Sequence, residues 1–325
     1  MSIREVADAI KKYDNYLITS HINVEGDAIG SEIAIYYMAK QLGKNAIMVN
    51  SDPVPERYTF LPSHEKIIIG NNIGVKKYSN VIIVDCPTVE RSGKISTLLK
   101  SSEVKINIIN IDHHVSNENF GNFNWVNPDA SSCGEMVYKL YKEMGLDITD
   151  DIATALYVAI LTDTGSFRYD STTSETHRIC GDLLKLGIRP AKIAEKIYET
   201  KDMGDMALLA KVLLTIKMTK NGKIAYMYVT KKMMEETNTT PDQTDGFINF
   251  ARALKGTEIS IFFREDLEDS EKIHVAFRSK GSANVNVLAT KFGGGGHPKA
   301  SGCVIKGDLN EVIKKVLKVA EEFLV

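Results

Sequence analysis

Four short runs in the first half of the chain, NYLITSH, NAIMVN, VIIVDCP and INIINIDHH, alternate with helix-like segments such as GDAIGSEIAIYYMAKQLG. Their Ile/Val-rich stretches are continuous, where a half-exposed strand would be apolar at every second residue. Such a strand is buried on both faces, and in a chain that alternates strand and helix this means a parallel sheet with helices above and below. The helical patterns GEMVYKLYKEMG, DIATALYVAILTD and SETHRICGDLLKLG extend this lobe to residue 188, where Gly187 and Pro190 mark a helix end and the start of a connector.

After a helical stretch the texture changes to GKIAYMYVT, EISIFFRED and KIHVAFRSK, longer strands with polar edges that suit a mixed sheet. The expected fold is α/β, with a doubly wound, mainly parallel sheet over 1–188 and a helical linker over 189–212. A smaller α/β domain with a mixed sheet would follow over 213–325, the active-site cleft lying between the two domains. A chain of 325 residues exceeds the size of about 250 to 300 at which one core stops growing.

A formal net charge of -2 gives no overall basic footprint, so any nucleic acid the chain handles is short or held locally. The N-terminal MSIREVADAIKKYDNY is amphipathic, and no stretch is long and apolar enough to span a bilayer. Cys86, Cys133, Cys180 and Cys303 are scattered without a C-x-x-C pair, so neither a zinc knuckle nor a disulfide framework is indicated. A cytoplasmic protein with no membrane partner is expected.

The strand ends carry the chemistry. NYLITSH ends in His21 and leads to Glu25 and Asp27 before a helix. VIIVD ends in Asp85, INIIN runs into Asp112, His113 and His114, and the helix ALYVAIL runs into Asp163. Ligands of open α/β sheets bind outside the carboxyl ends of the strands, so this topology gathers four separated segments into one crevice. Taken singly, His21 reads more readily as a satisfied polar residue, and Asp27 as a carboxylate favoured by a helix N-terminus. Three adjacent ionisable groups after an apolar strand have no ordinary structural use.

Imidazoles and carboxylates without thiolate suit Mn, Fe, Co or Zn better than Mg or Ca. The ligands are too many for one ion. Two cations about 3.5 to 4 Å apart, sharing one carboxylate, serve hydrolysis of a phosphate ester.

A second signature is KFGGGGHPKASG, residues 291 to 302. Gly293, Gly294, Gly295 and Gly296 allow positive φ and turn backbone N–H groups toward one concavity, as close approach to a phosphate requires. His297 and Lys299 lie within reach of the same anion. Arg278 and Ser279, at a strand end in FRSKG, would add a charge-assisted contact. The plainer alternatives are a flexible glycine loop and a surface salt bridge.

Together these residues resemble the DHH phosphoesterase family, in its branch with a type 1 DHH-associated domain. HINVEGDAIGS resembles the first motif, VDCP the second, IDHH the third, LTDTGSF the fourth, and FGGGGHPKASG the glycine motif of the associated domain. The two-domain plan is similar to bacterial nanoRNases, which degrade short oligoribonucleotides and dephosphorylate 3'-phosphoadenosine 5'-phosphate (pAp).

The resemblance implies a metal-dependent phosphodiesterase and phosphatase with two divalent ions, Mn2+ first, with Mg2+, Co2+ or Fe2+ as alternatives. His21, Glu25 and Asp85 would hold one ion. Asp27, Asp85, His113 and Asp163 would hold the other, Asp85 bridging. Asp112 would orient an imidazole and His114 would face the scissile phosphate, making Asp85, Asp112 and His114 the catalytic set. Arg278, Ser279, Gly293 to Gly296 and His297 would grip a terminal phosphate or nucleotide from the opposite lobe.

Short RNA or DNA oligonucleotides, pAp or dinucleotides are the implied substrates, and a homodimer is compatible. The competing readings are a cyclic or linear dinucleotide phosphodiesterase and a non-catalytic nucleotide-binding module. One position departs from the family pattern: Val24-Glu25 stands where Pro-Asp is usual, so that carboxylate is one methylene longer.

Overall fold

Leu17, Ile18 and the four residues from Val81 to Val84 are all removed from solvent, which explains apolar runs without alternation. The computed structural model describes residues 1–70, 78–100, 106–269 and 271–324. It divides into two units, Met1–Thr200 and Lys201–Val325.

The first unit is built on strands β1 (Tyr16–Thr19), β2 (Ala46–Asn50), β3 (Ile67–Ile69), β4 (Asn80–Val84), β5 (Asn107–Asp112) and β6 (Phe123–Val126). They form one sheet in the order β3-β2-β1-β4-β5-β6, and every pairing is parallel. The order reverses between β1 and β4, so a crevice opens at the carboxyl ends of these two neighbours. The short strands β3 and β6 complete the two edges.

The helices of this unit are α1 (Ile3–Lys12), α2 (Gly26–Gln41), α3 (Lys94–Lys100), α4 (Cys133–Met144), α5 (Asp150–Asp163), α6 (Ser174–Leu184) and α7 (Pro190–Tyr198). On one face Ile18, Ile82, Val84 and Ile111 join a core with α1, α2, α4 and α5. On the other, Leu17, Val81 and Ile83 pack with Ile95 and Leu99 of α3.

The second unit opens with α8 (Met203–Leu213), so the stretch 189–212 is shared: α7 belongs to the first unit and α8 to the second. Its strands are β7 (Lys217–Met218), β8 (Ile224–Val229), β9 (Ile259–Glu265), β10 (Lys272–Ser279), β11 (Gly295–His297) and β12 (Ala300–Lys306). The sheet order is β11-β12-β10-β9-β8-β7, and the pairing is antiparallel except between β8 and β9.

The remaining helices are α9 (Lys231–Thr237), α10 (Ile248–Ala253), α11 (Val285–Thr290) and α12 (Leu309–Phe323). Residues of α11 and α12 pack with Ile261, Phe263, Val275 and Phe277 on one face. Residues of α8, α9 and α10 pack with Ala225, Met227 and Phe262 on the other.

Candidate metal centre

Asp85 follows β4 directly. Its N–H still bonds the Ile111 carbonyl at 3.0 Å, and a left-handed φ of 52° then turns the chain off the sheet. A non-glycine residue held there is a local strain of the kind found at functional sites. Both carboxylate oxygens are buried and find no hydrogen-bond donor among the described residues. His21, from the end of β1, places Nε2 3.4 Å from Oδ2, and His113, from the end of β5, places Nε2 3.4 Å from Oδ1.

Two helices supply the rest. Asp27 in the first turn of α2 and Asp163 at the end of α5 lie 3.7 and 3.6 Å from His113 Nε2. They come together because α2 starts hard against α5: a Cβ on Gly26 would sit 2.4 Å from the Thr162 hydroxyl oxygen. Asp27 also accepts the N–H groups of Cys133 and Gly134, at 2.7 and 2.8 Å, and the Ser31 hydroxyl at 3.1 Å. The first two donors open α4, so a helix N-terminus faces this carboxylate.

Three overlapping clusters result: His21, Glu25 and Asp85; Asp27, His113 and Asp163; Asp85, His113 and His114. The ligand atoms of each lie within 4.8 Å of one another. Separations of 3.4 to 3.7 Å are longer than the 2.7 to 3.2 Å of an ordinary hydrogen bond. They are close to the spacing of about 3.4 Å between atoms bound to one cation at about 2.1 Å with tetrahedral geometry. A buried carboxylate without donors, among imidazoles and further carboxylates, fits a metal-binding site.

Glu25 fits the same picture. It is the N-cap of α2, yet its side chain makes no capping bond, because Glu is too long to cap its own helix well. Its carboxylate instead joins His21 and Asp85.

Charge is unevenly held in this cluster. Burial lowers the pKa of His21, but Asp85 beside it and the charge of Glu25 outweigh burial and raise it to about 9. Burial raises Asp163 to about 7 against the pull of His113, and burial with Asp85 and Asp163 pushes Asp27 well above its ordinary value. For Asp85 burial is overcome by His113 and His21, which hold it well below the usual carboxylate range. Negative charge on Asp27 and Asp163 is therefore costly here without a cation to offset it.

Asp112 is fully buried and bonds His114 Nδ1 at 2.7 Å, while its other oxygen accepts the Asn117 amide at 2.6 Å. Asn117 also bonds Asn110 Oδ1 and the Cys86 carbonyl, at 2.8 and 3.3 Å. Asn117 and the Cys133-Gly134 backbone are absent from the expected site. Neither has a sequence signal beyond nearness to IDHH and a Ser132 cap.

In the second unit Arg278 lies on the face of β10 that carries His274 and Ala276, and Ser279 faces the opposite, buried side. The Ser279 hydroxyl donates to the Ala283 carbonyl at 2.7 Å. In the glycine run, the N–H groups of Gly293 and Gly294 bond the carbonyls of Thr290 and Ala289, closing the end of α11. A Cβ on Gly294 would meet the Gly302 carbonyl oxygen at 2.1 Å. Gly295, Gly296 and His297 form β11 beside β12. Half of the run thus serves the fold itself.

Two family models match the chain. One is the DHH family, N-terminal domain, over residues 15–160, and the other is the DHHA1 domain over residues 221–325. The bifunctional oligoribonuclease and PAP phosphatase NrnA of Thermus thermophilus is 32% identical over 99% of this chain and 94% of its own length. The Bacillus subtilis protein of the same name is 29% identical over 93% and 92%. A crystal structure of an exopolyphosphatase-related protein from Bacteroides fragilis superposes with a TM-score of 0.90 at 28% identity, covering 99% of this chain and 95% of that one.

Proposed function

The chain belongs to the DHH phosphoesterase family, as a metal-dependent hydrolase, and we propose that it hydrolyses short oligonucleotides and pAp to nucleoside monophosphates. The observation that carries this reading is Asp85: buried, without a hydrogen-bond donor, and common to two of the three clusters. Full-length likeness to oligoribonuclease and PAP phosphatase relatives supports the choice of substrate.

His21, Glu25 and Asp85 would hold one cation, and Asp27, Asp85, His113 and Asp163 the other. Such a pair, when bound, lowers the pKa of a water toward neutrality and offsets charge on phosphoryl oxygens. Asp112 accepts from His114 Nδ1, which fixes the proton there and would leave the other ring nitrogen for the scissile phosphate. Arg278, Gly295, Gly296 and His297 are proposed to hold the substrate's terminal phosphate, whereas Ser279, with its hydroxyl on the Ala283 carbonyl, and Gly293 and Gly294, with their N–H groups closing α11, support the fold around them.

Manganese is the proposed metal, because two imidazoles share the site with carboxylates and no thiolate. No described helix is long and apolar enough to cross a membrane. The four cysteines are free and buried, which supports action in the reducing cytoplasm.

The test is hydrolysis, in Mn2+ and in Mg2+, of a labelled RNA dinucleotide, a pentamer, a long single strand, pAp and cyclic di-AMP, with Asp85→Ala as control. Turnover of the short RNAs and pAp that vanishes in the variant is expected. Preferential cleavage of cyclic di-AMP would move the assignment to a dinucleotide phosphodiesterase. Metal binding with no turnover of any substrate would leave a nucleotide-binding module.

A further inference from the structure

The second sheet is covered unevenly. Residues of α8, α9 and α10 pack over β8 and β9, and where that cover stops a pocket of about 390 Å³ opens. Its floor is set by strand register. Phe262 of β9 stands opposite Ala276 of β10, and Ala276 stands opposite Gly302 of β12. One aromatic residue is followed across the sheet by two positions with almost no side chain, and the result is a flat slot. Thr244, Asp245, Gly246 and Ile248 wall one side, and Val304, half exposed, forms the rim.

The polar groups select the ligand. Arg264 and His274 face each other across β9 and β10 and both line the pocket, as does Arg278 four residues along β10 from His274. His274 Nε2 is paired with Asp266 Oδ2 at 2.7 Å. The Arg264 guanidinium makes no hydrogen bond or ion pair among the described residues, although Asp242, Asp245 and Asp266 lie near enough for their charge to act on it. Three carboxylates around one arginine disfavour a phosphate at this end. They leave donors and acceptors at the edge of a flat, partly apolar slot, which suits a planar heterocycle.

We propose that this pocket is a nucleobase site. Resting on the reading of the second unit as the substrate holder, it would take the base of a nucleotide whose phosphate lies toward Arg278. Four residues of strand separate Arg278 from His274, about 13 Å, which is room for a nucleotide between them. The pocket would then make the enzyme sense a base as well as a phosphate.

The test uses the full chain with two substitutions that spare the core. Arg264→Met keeps the aliphatic stem, and Val304→Trp fills the slot from its exposed rim. An RNA dinucleotide is compared with two counterparts, each lacking one base. The ratio of kcat/KM for intact over abasic substrate should exceed about tenfold in the wild type for one of the two and fall toward unity in both variants. Equal losses on intact and abasic substrates would overturn the site.

A second readout separates this idea from the proposed activity. Saturation-transfer NMR with the four ribonucleosides, without metal or phosphate, should give a signal that both variants remove. If the wild type cleaves nothing but the nucleoside signal behaves in this way, the substrate reading fails and the pocket stands. A nucleoside signal unchanged in both variants overturns the pocket whatever the turnover.

Discussion

Asp27 Oδ2 accepts the backbone N–H of Cys133 at 2.7 Å, across 106 residues of sequence. This contact ties the start of α2 to the start of α4. It also gives Asp27 two tasks that conflict, since burial near Asp85 and Asp163 makes its charge costly until a cation arrives.

Asp27→Asn should separate those tasks. The two α4 donors bond different oxygens of Asp27, so the amide keeps an acceptor for one and turns its NH2 toward the other, and the metal-free variant should melt at or below the wild-type temperature. Its response to Mn2+ should nearly vanish, and kcat/KM should fall by about a hundredfold or more, beyond the 10 to 100-fold usual for groups behind a metal ligand. Differential scanning fluorimetry with and without Mn2+ checks the first part. A variant stabilised by Mn2+ as strongly as the wild type would remove Asp27 from the ligand set.

Asn117 offers a milder test, because it touches Asp112 and not the clusters. Its amide bonds Asp112 at 2.6 Å, and Asp112 orients His114. Asn117→Ala should lower kcat about tenfold with bound metal unchanged, since Asp112 would keep its bond to His114 but be held less firmly, and the ring with it. Equilibrium dialysis of Mn2+ beside steady-state kinetics would show it. Loss of a metal equivalent would instead place Asn117 in support of the metal.

The legible parts of this protein were those written in short, local patterns. Parallel strands buried on both faces show as apolar runs, and polar groups at their carboxyl ends stand out, which is why Asp85, Asp112 and His113 are visible in the sequence. The donors to Asp27 are backbone N–H groups, which no side-chain pattern records. Strands β3 and β6 are 3 and 4 residues long, too short to carry a period. The glycine run was readable as a turn, but only the fold shows that Gly293 and Gly294 spend their N–H groups on α11.

Removing the metal should loosen the first unit. Glu25, Asp27, Asp85, Asp112 and Asp163 then face three imidazoles without a cation. At a Mn2+ concentration about 100 times the dissociation constant, binding should contribute about 2.7 kcal/mol. Chelation should lower the melting temperature by several degrees, and Asp85→Ala should abolish the difference. Asp85→Asn, which tolerates the left-handed φ of 52° better than Ala, should melt higher than Asp85→Ala while remaining as inactive. Equal melting of the two variants would show that backbone strain at this position is immaterial.

Glu32 gives a pH dependence independent of the metal. It is fully buried in α2, its Oε2 accepts the Asn50 amide at 2.8 Å, and its Oε1 finds no hydrogen-bond partner among the described residues. Burial, only partly offset by Asn50 and the Val49 backbone, pushes its pKa up from 4.5 to about 8. Between these two values the folded protein keeps a proton that the unfolded chain has released. The stability linked to Glu32 is thus fully present below about 4.5 and is lost as pH rises through about 8, at no more than about 1.4 kcal/mol per pH unit. Above about 8 both states are ionised and the loss levels off. Glu32→Gln carries no such proton, so its stability relative to the wild type should grow across that window and then stay constant. Urea titrations of both proteins over this range, in chelator, measure the difference; parallel pH profiles would mean that Glu32 is ionised in the folded protein.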